Sequence, residues 1–238
     1  MLQLRPSQQR GIGEHGGWLR SRHSFSFADY VDPQHMGFSA LRVINDDEVA
    51  PGAGFPQHAH RDMEIISVVL QGSLEHRDSM GHVSRLHAGE VQRMSAGTGI
   101  THSEYNPSPD EPLRFLQIWI VPDRPGITPS YEQRSLPDTI SEPLTLLASA
   151  DGQAGAMRLQ QDARLYFGRL AGGASVQRRL DPARKYYLYV IQAGLQANRQ
   201  VLNTGDAVSI VEESKLNLVN ELPTDSNTQT EFLFFDLP

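Results

Sequence analysis

The chain contains no cysteine. That excludes disulfides, iron–sulfur clusters, thiolate zinc sites and any cysteine nucleophile. No apolar run approaches the ~18 residues that span a bilayer. The N-terminal stretch MLQLRPSQQRGIGEHGG lacks the apolar centre of a secretory signal, so a cytoplasmic location is expected. Cations are sparse and dispersed: 21 Lys and Arg stand against 28 Asp and Glu, for a net charge of −7. Spots such as Arg178-Arg179 and Arg184-Lys185 do not make the basic face that phosphates require, so nucleic-acid binding is not expected. Histidine is also missing from the second half, the last being His102.

What is present is ordinary globular chemistry, 39% hydrophobic and 21% charged over 238 residues, enough for one large domain or two. Short runs with β-branched or aromatic residues, cut by Gly, Pro, Asn and Asp, predict strands at 41–44, 64–70, 73–77, 83–86, 91–94, 100–105 and 113–121. Asp78-Ser79-Met80-Gly81 reads as a hairpin turn. No long stretch keeps a helical period between caps, which favours an all-β sandwich or barrel. A faint repeat supports two domains: SVVLQGSL (67–74) resembles LYVIQAGL (188–195), HAGEVQRM (87–94) resembles NTGDAVSI (203–210), and FLQIWIVP (115–122) resembles FLFFDLP (232–238). The expected division is 1–135 and 136–238, with a Pro-, Ser- and Thr-rich linker over Pro122–Pro143. The repeat carries strands and turn glycines but no metal-type residues, so the second domain is expected to be structural or a lid.

Two pairs spaced i, i+2 carry the chemistry: His58-Ala59-His60 and His102-Ser103-Glu104. In a strand that spacing puts both side chains on one face. Two such strands in a narrow barrel would aim three imidazoles and a carboxylate at one point. This donor set suits one divalent transition-metal cation (Fe, Mn, Co, Ni, Cu or Zn) and leaves positions open for substrate and dioxygen. Gly52 and Gly54 precede the first pair, Gly97 and Gly99 the second, as tight turns at a barrel mouth require. Glu64 shares the parity of His58 and His60 and stands as an alternative ligand or as a group orienting an imidazole. Asp62 reads as a solvated strand end. His76, His82 and His87 fall in a polar hairpin and are expected to face solvent, and His15 and His23 have no paired ligand. Trp18, Phe25, Phe27 and Phe38 are expected in the core or a pocket wall.

GAGFPQHAHRDMEIISVVLQG is similar to the first cupin motif, with Gly52, His58, His60 and Glu64 in place and Gly72 one residue late. Residues Gly89 to Asn106 are similar to the second, with Ser95 where proline is expected and two extra residues before His102. AGTGITHSEYN, together with HSFSFADYVDP and MGFSALRVINDD, closely resembles the pirin family. The resemblance implies a bicupin: two tandem cupin (double-stranded β-helix, jelly-roll) barrels, the metal confined to the first. It implies His58, His60, His102 and Glu104 as metal ligands, favouring Glu104 over Glu64. The bacterial pirin-like quercetin 2,3-dioxygenases further imply cleavage of a flavonol heterocycle by O2 with release of CO. The substrate would then be small, planar and aromatic, with Glu104 as ligand and general base. The eukaryotic members imply the competing reading, a non-catalytic metal-dependent module with a protein partner.

Overall fold

The computed structural model describes residues 1–136, 142–226 and 228–238, and its regular structure is almost wholly β. In chain order the strands begin with β1 (Leu2–Arg5), β2 (Gly11–His15), β3 (Leu19–His23), β4 (Leu41–Val49), β5 (Gly54–His60) and β6 (Glu64–Gln71). There follow β7 (Ser73–Asp78), β8 (Val83–His87), β9 (Glu90–Ser95), β10 (Ile100–Tyr105), β11 (Leu113–Ile120) and β12 (Ser130–Ser135). The remainder are β13 (Leu144–Ser149), β14 (Met157–Arg158), β15 (Arg164–Leu170), β16 (Ser175–Arg179) and β17 (Lys185–Gln192). Last come β18 (Leu195–Ala197), β19 (Gln200–Leu202), β20 (Ala207–Val211), β21 (Lys215–Val219) and β22 (Thr230–Leu237).

These strands form two compact units, each with one seven-stranded and one four-stranded sheet. The first comprises Gly11–Asp138 with Leu159–Gln161, and its sheets run β12-β9-β6-β11-β4-β3-β2 and β5-β10-β7-β8. The second comprises Met1–Arg10, Thr139–Arg158 and Asp162–Pro238, with sheets β1-β20-β17-β22-β15-β13-β14 and β16-β21-β18-β19. The repeated segments are β6 and β17, β9 and β20, β11 and β22, and each occupies the same place in its sheet. Against a simple cut at 135, Met1–Arg10 clusters with the second unit, because β1 pairs with β20. The expected linker also contains structure: β12 extends the first unit's sheet along β9. Residues 137–141 of that linker lie outside the described residues.

The cores differ. In the second unit Leu188, Val190, Val208, Ile210, Phe232 and Phe234 belong to one continuous buried cluster. Each such side chain contributes about 1.5–3 kcal/mol on burial. On the site-bearing face of the first unit's large sheet the apolar residues fall into separate, smaller clusters, one around Leu19, Val49, Val69 and Phe115, another around Ile65, Met94 and Ile100. Between them on β6 and β11 lie Ser67 and Gln117, both buried. The interruption marks where the site is built.

Half-buried Leu2 and Leu4 pack on the second unit's core, and the Arg10 guanidinium lies 5.0 Å over the Tyr189 ring. Deleting residues 1–10 is expected to remove hydrogen-exchange protection from Ala207–Val211 while Leu113–Ile120 stays protected. Protection retained at Ala207–Val211 would separate β1 from the second unit's stability, and equal loss at both strands would deny that its effect is confined to that unit.

Candidate metal centre

The site forms on the inner face of the four-stranded sheet of the first unit. Antiparallel pairing of β5 with β10 sets His58 opposite His102 and His60 opposite Ile100. On the other side of β10, β7 sets His76 opposite Glu104 and Asp78 opposite His102. The register slips between His102 and Glu104, where β5 carries one extra residue, and Phe55 comes opposite Glu104. Gly54 is required next to this bulge: a Cβ there would lie 2.3 Å from the Glu104 carbonyl oxygen. The bulge also turns the Pro56 carbonyl toward His58, whose Nδ1–H donates to it at 2.8 Å. That bond fixes the tautomer and leaves the His58 Nε2 lone pair facing inward.

The His102 Nε2 lies 3.0 Å from the Nε2 of His60 and 3.0 Å from that of His58. Protons do not easily sit between them. Burial, then the neighbouring imidazoles, lowers His60 to about 4 and His102 to about 3. Lone pairs that face one another at this distance repel unless a cation lies among them. Two nitrogens each ~2.1 Å from one ion, at right angles, stand ~3.0 Å apart. The three histidines therefore fit a single divalent transition metal.

Glu104 is fully buried and is gripped by neutral donors from the large sheet. Ser67 Oγ (3.0 Å) and Gln92 Nε2 (2.7 Å) donate to Oε1, and Gln117 Nε2 (2.8 Å) donates to Oε2. The Tyr131 hydroxyl, raised to about 12 mainly by burial, donates to Gln92 Oε1 at 3.0 Å and fixes that amide's orientation. The carboxylate groups with His76 and His102, whereas His58 and His60 group with His102. His102 is thus the shared member of both clusters.

Two expectations change. His76 is buried, not solvent-facing: its ring stacks on Tyr131 at 4.8 Å and its Nε2 lies 3.2 Å from Asp78. The polarity of its hairpin hid it, because alternate residues of that strand face inward. Glu64 does not join either histidine group. Ser67 on the same strand reaches Glu104, so Glu64, three residues earlier, points to the opposite face. There its Oε2 accepts from Ser95 Oγ and the Gln160 N–H, and burial raises its pKa. The shared parity with His58 fails because Asp62, at φ 49°, turns the chain between two sheets. Ser67 and Gln117 gave one sequence signal, a polar residue amid apolar neighbours in their strands, whereas Gln92, beside Arg93 in EVQRMS, gave none.

A cavity of about 280 Å³ opens beside Glu104's partner Gln117. Trp18, Phe27, Phe55 and Pro56 supply its apolar wall, and Ser21, His23, Asn45 and Asp47 its polar floor. Trp18 and Phe27 thus stand in a pocket wall, as expected from the sequence.

His60 and His102 bind protons more weakly folded than in an unfolded chain, whose histidines titrate near 6.5. The unfolded state therefore gains protons first as pH falls. Metal-free protein is expected to hold its stability above pH ~6.5 and to lose it progressively toward pH 4. Urea midpoints across that range read the effect, and His60→Gln/His102→Gln should flatten the slope. An unchanged slope would deny the two imidazoles this part.

The pirin profile matches residues 4–120, and that of the quercetinase C-terminal cupin domain matches residues 146–237. The quercetin 2,3-dioxygenase of Escherichia coli K12 is 44% identical over 238 residues, covering 100% of this chain and 99% of its own. A putative quercetin 2,3-dioxygenase of Pasteurella multocida is 45% identical over 240 residues, with both chains covered in full (100%). The crystal structure of the E. coli bacterial pirin YhhW in complex with nickel(II) superposes with a TM-score of 0.93 at 43% identity, covering 100% of this chain and 99% of that one. On sequence and fold together, the chain belongs to the pirin family of bicupins.

Proposed function

We propose that the protein is a metal-dependent dioxygenase that cleaves the heterocyclic ring of flavonols such as quercetin with O2 and releases CO. The observation that carries this reading is the meeting of three convergent imidazole nitrogens, a buried carboxylate and an aromatic-walled cavity in one barrel. His58, His60, His102 and Glu104 are the ligand set. A divalent ion held there supplies Lewis acidity, lowering the pKa of a bound hydroxyl, and open positions for the reactants.

The chain's own groups do the rest. Trp18, Phe27 and Phe55 hold the planar rings and exclude water. Glu104 accepts the proton of the flavonol's enolic hydroxyl. Its Oε1 is anchored by Ser67 and Gln92, while Oε2 has Gln117 as its side-chain donor, so Oε2 is the oxygen we assign to the proton. No helix among the described residues is long and apolar enough to cross a membrane.

Metal-loaded protein given quercetin in air is expected to bleach the flavonol with release of CO, and chelation should stop it. Glu104→Gln should lower kcat by about 10²-fold or more while metal analysis still finds bound ion. Full activity in that variant would remove the base role. Metal-loaded wild type that releases no CO would favour the metal-dependent binding module instead.

A further inference from the structure

Five buried polar side chains form a single cross-strand row on the inner face of the large sheet. Gln92 lies opposite Ser67, Ser67 opposite Gln117, Gln117 opposite Asn45, and Asn45 opposite His23. All five are buried. Burying polar groups is costly without hydrogen bonds, so five in one register need a reason.

The fold does not require them. In the second unit the matching row is Val208, Leu188, Phe234, Tyr166 and Leu146, paired in the same order. Its first three members are fully buried in that unit's apolar core. The same backbone positions are therefore stable when filled with hydrocarbon.

Three members of the polar row, Ser67, Gln92 and Gln117, grip Glu104. Asn45 and His23 continue the row away from Glu104 and into the floor of the cavity. The His23 Nδ1–H donates to the Asn45 carbonyl oxygen at 2.8 Å, with Ser21 Oγ 3.2 Å behind it. The ring is wedged between Phe27 (5.4 Å) and Tyr30 (6.2 Å), and Gly13 leaves room for its Nε2. With its oxygen taken, Asn45 presents its amide NH2 to the cavity. Above this donor stand Trp18 and Phe55, edge to face at 5.3 Å, and Phe27.

We infer that Asn45, oriented by His23, is a specificity-determining residue. Its amide donates to a hydroxyl oxygen on the flavonol ring remote from the metal-binding oxygens, while the aromatic wall holds that ring's faces. The favoured substrates are thus flavonols hydroxylated on the pendant phenyl ring. Adjacent strands are ~4.8 Å apart, so Asn45 is one spacing from Gln117. That offset sets the donor beyond the reacting oxygens and within the length of the ligand. The inference rests on the flavonol reading above.

The test is an anaerobic titration of metal-loaded protein with three flavonols bearing two, one or no hydroxyls on the pendant ring. Quenching of tryptophan fluorescence reads binding, since Trp18 lines the cavity and Trp119 lies 5.0 Å from the His60 ring. The wild type is expected to bind a hydroxylated ligand roughly 3- to 10-fold more tightly than the unhydroxylated one. Asn45→Asp keeps the acceptor for His23 and removes the donor, so it should lose the preference while retaining metal. Equal binding of all three by wild type, or a preference that survives Asn45→Asp, overturns the inference. The wild-type series decides even where the variant does not fold. Graded binding without CO release supports Asn45's part and rejects dioxygenase activity. Turnover with ungraded binding does the reverse.

Discussion

Three imidazole nitrogens, those of His58 and His60 each held 3.0 Å from that of His102, are the constraint to which the first barrel answers. Left alone, such an arrangement would spread apart or take up a proton. The barrel prevents both. Backbone pairing of β5 with β10 fixes the separation, and burial keeps His60 and His102 deprotonated down to about 4 and 3. Side chains alone could not do this, since each would lose rotamer freedom to hold an unfavourable contact. The sheet hydrogen bonds hold it instead, and the ligand strands approach closely because Gly54 has no Cβ.

The polar row across the large sheet is the second consequence. A carboxylate buried beside these imidazoles without partners would be strongly disfavoured. Ser67, Gln92 and Gln117 supply three neutral donors, and Tyr131 orients one of them. Neutral donors suit this place better than an arginine would. They hold the carboxylate without cancelling the charge that a cation in the site needs. On this face the apolar core of the first unit is divided to make room, whereas the second unit, with no such histidine group among the described residues, fills the same row with Val, Leu and Phe. Both barrels thus follow one backbone plan, and function is written in which rows are polar.

Much of this was legible in the chain, and the reasons for the rest are specific. His58, His60, His102 and Glu104 stood out because a two-residue spacing on a strand survives any choice of partner strand. Parity alone kept Glu64 open as an alternative to Glu104, since parity carries through a strand but not through the turn at Asp62. His76 and the three donors to Glu104 depend on register between strands distant in sequence: Ser67 and Gln117 meet only because β6 and β11 pair. One polar residue in an apolar strand says that something inward is polar, but the neighbouring strand says what. The N-terminal strand and β12 were missed for a related reason. Edge strands are short and half-exposed, so LQLR and SYEQRS lack a full apolar face.

The bulge in β5 joins these elements. One extra residue between Phe55 and His58 turns Phe55 into the barrel opposite Glu104 and brings the Pro56 carbonyl onto the His58 Nδ1–H. A regular strand could do neither, because Phe55 and His58, three residues apart, would face opposite ways. The same irregularity therefore sets the tautomer of His58 and a wall of the cavity. A ring pressed against Phe55 acts on the segment that aims His58. The positions of Phe55 and His58 therefore depend on one irregularity, and a change in the backbone between them moves both.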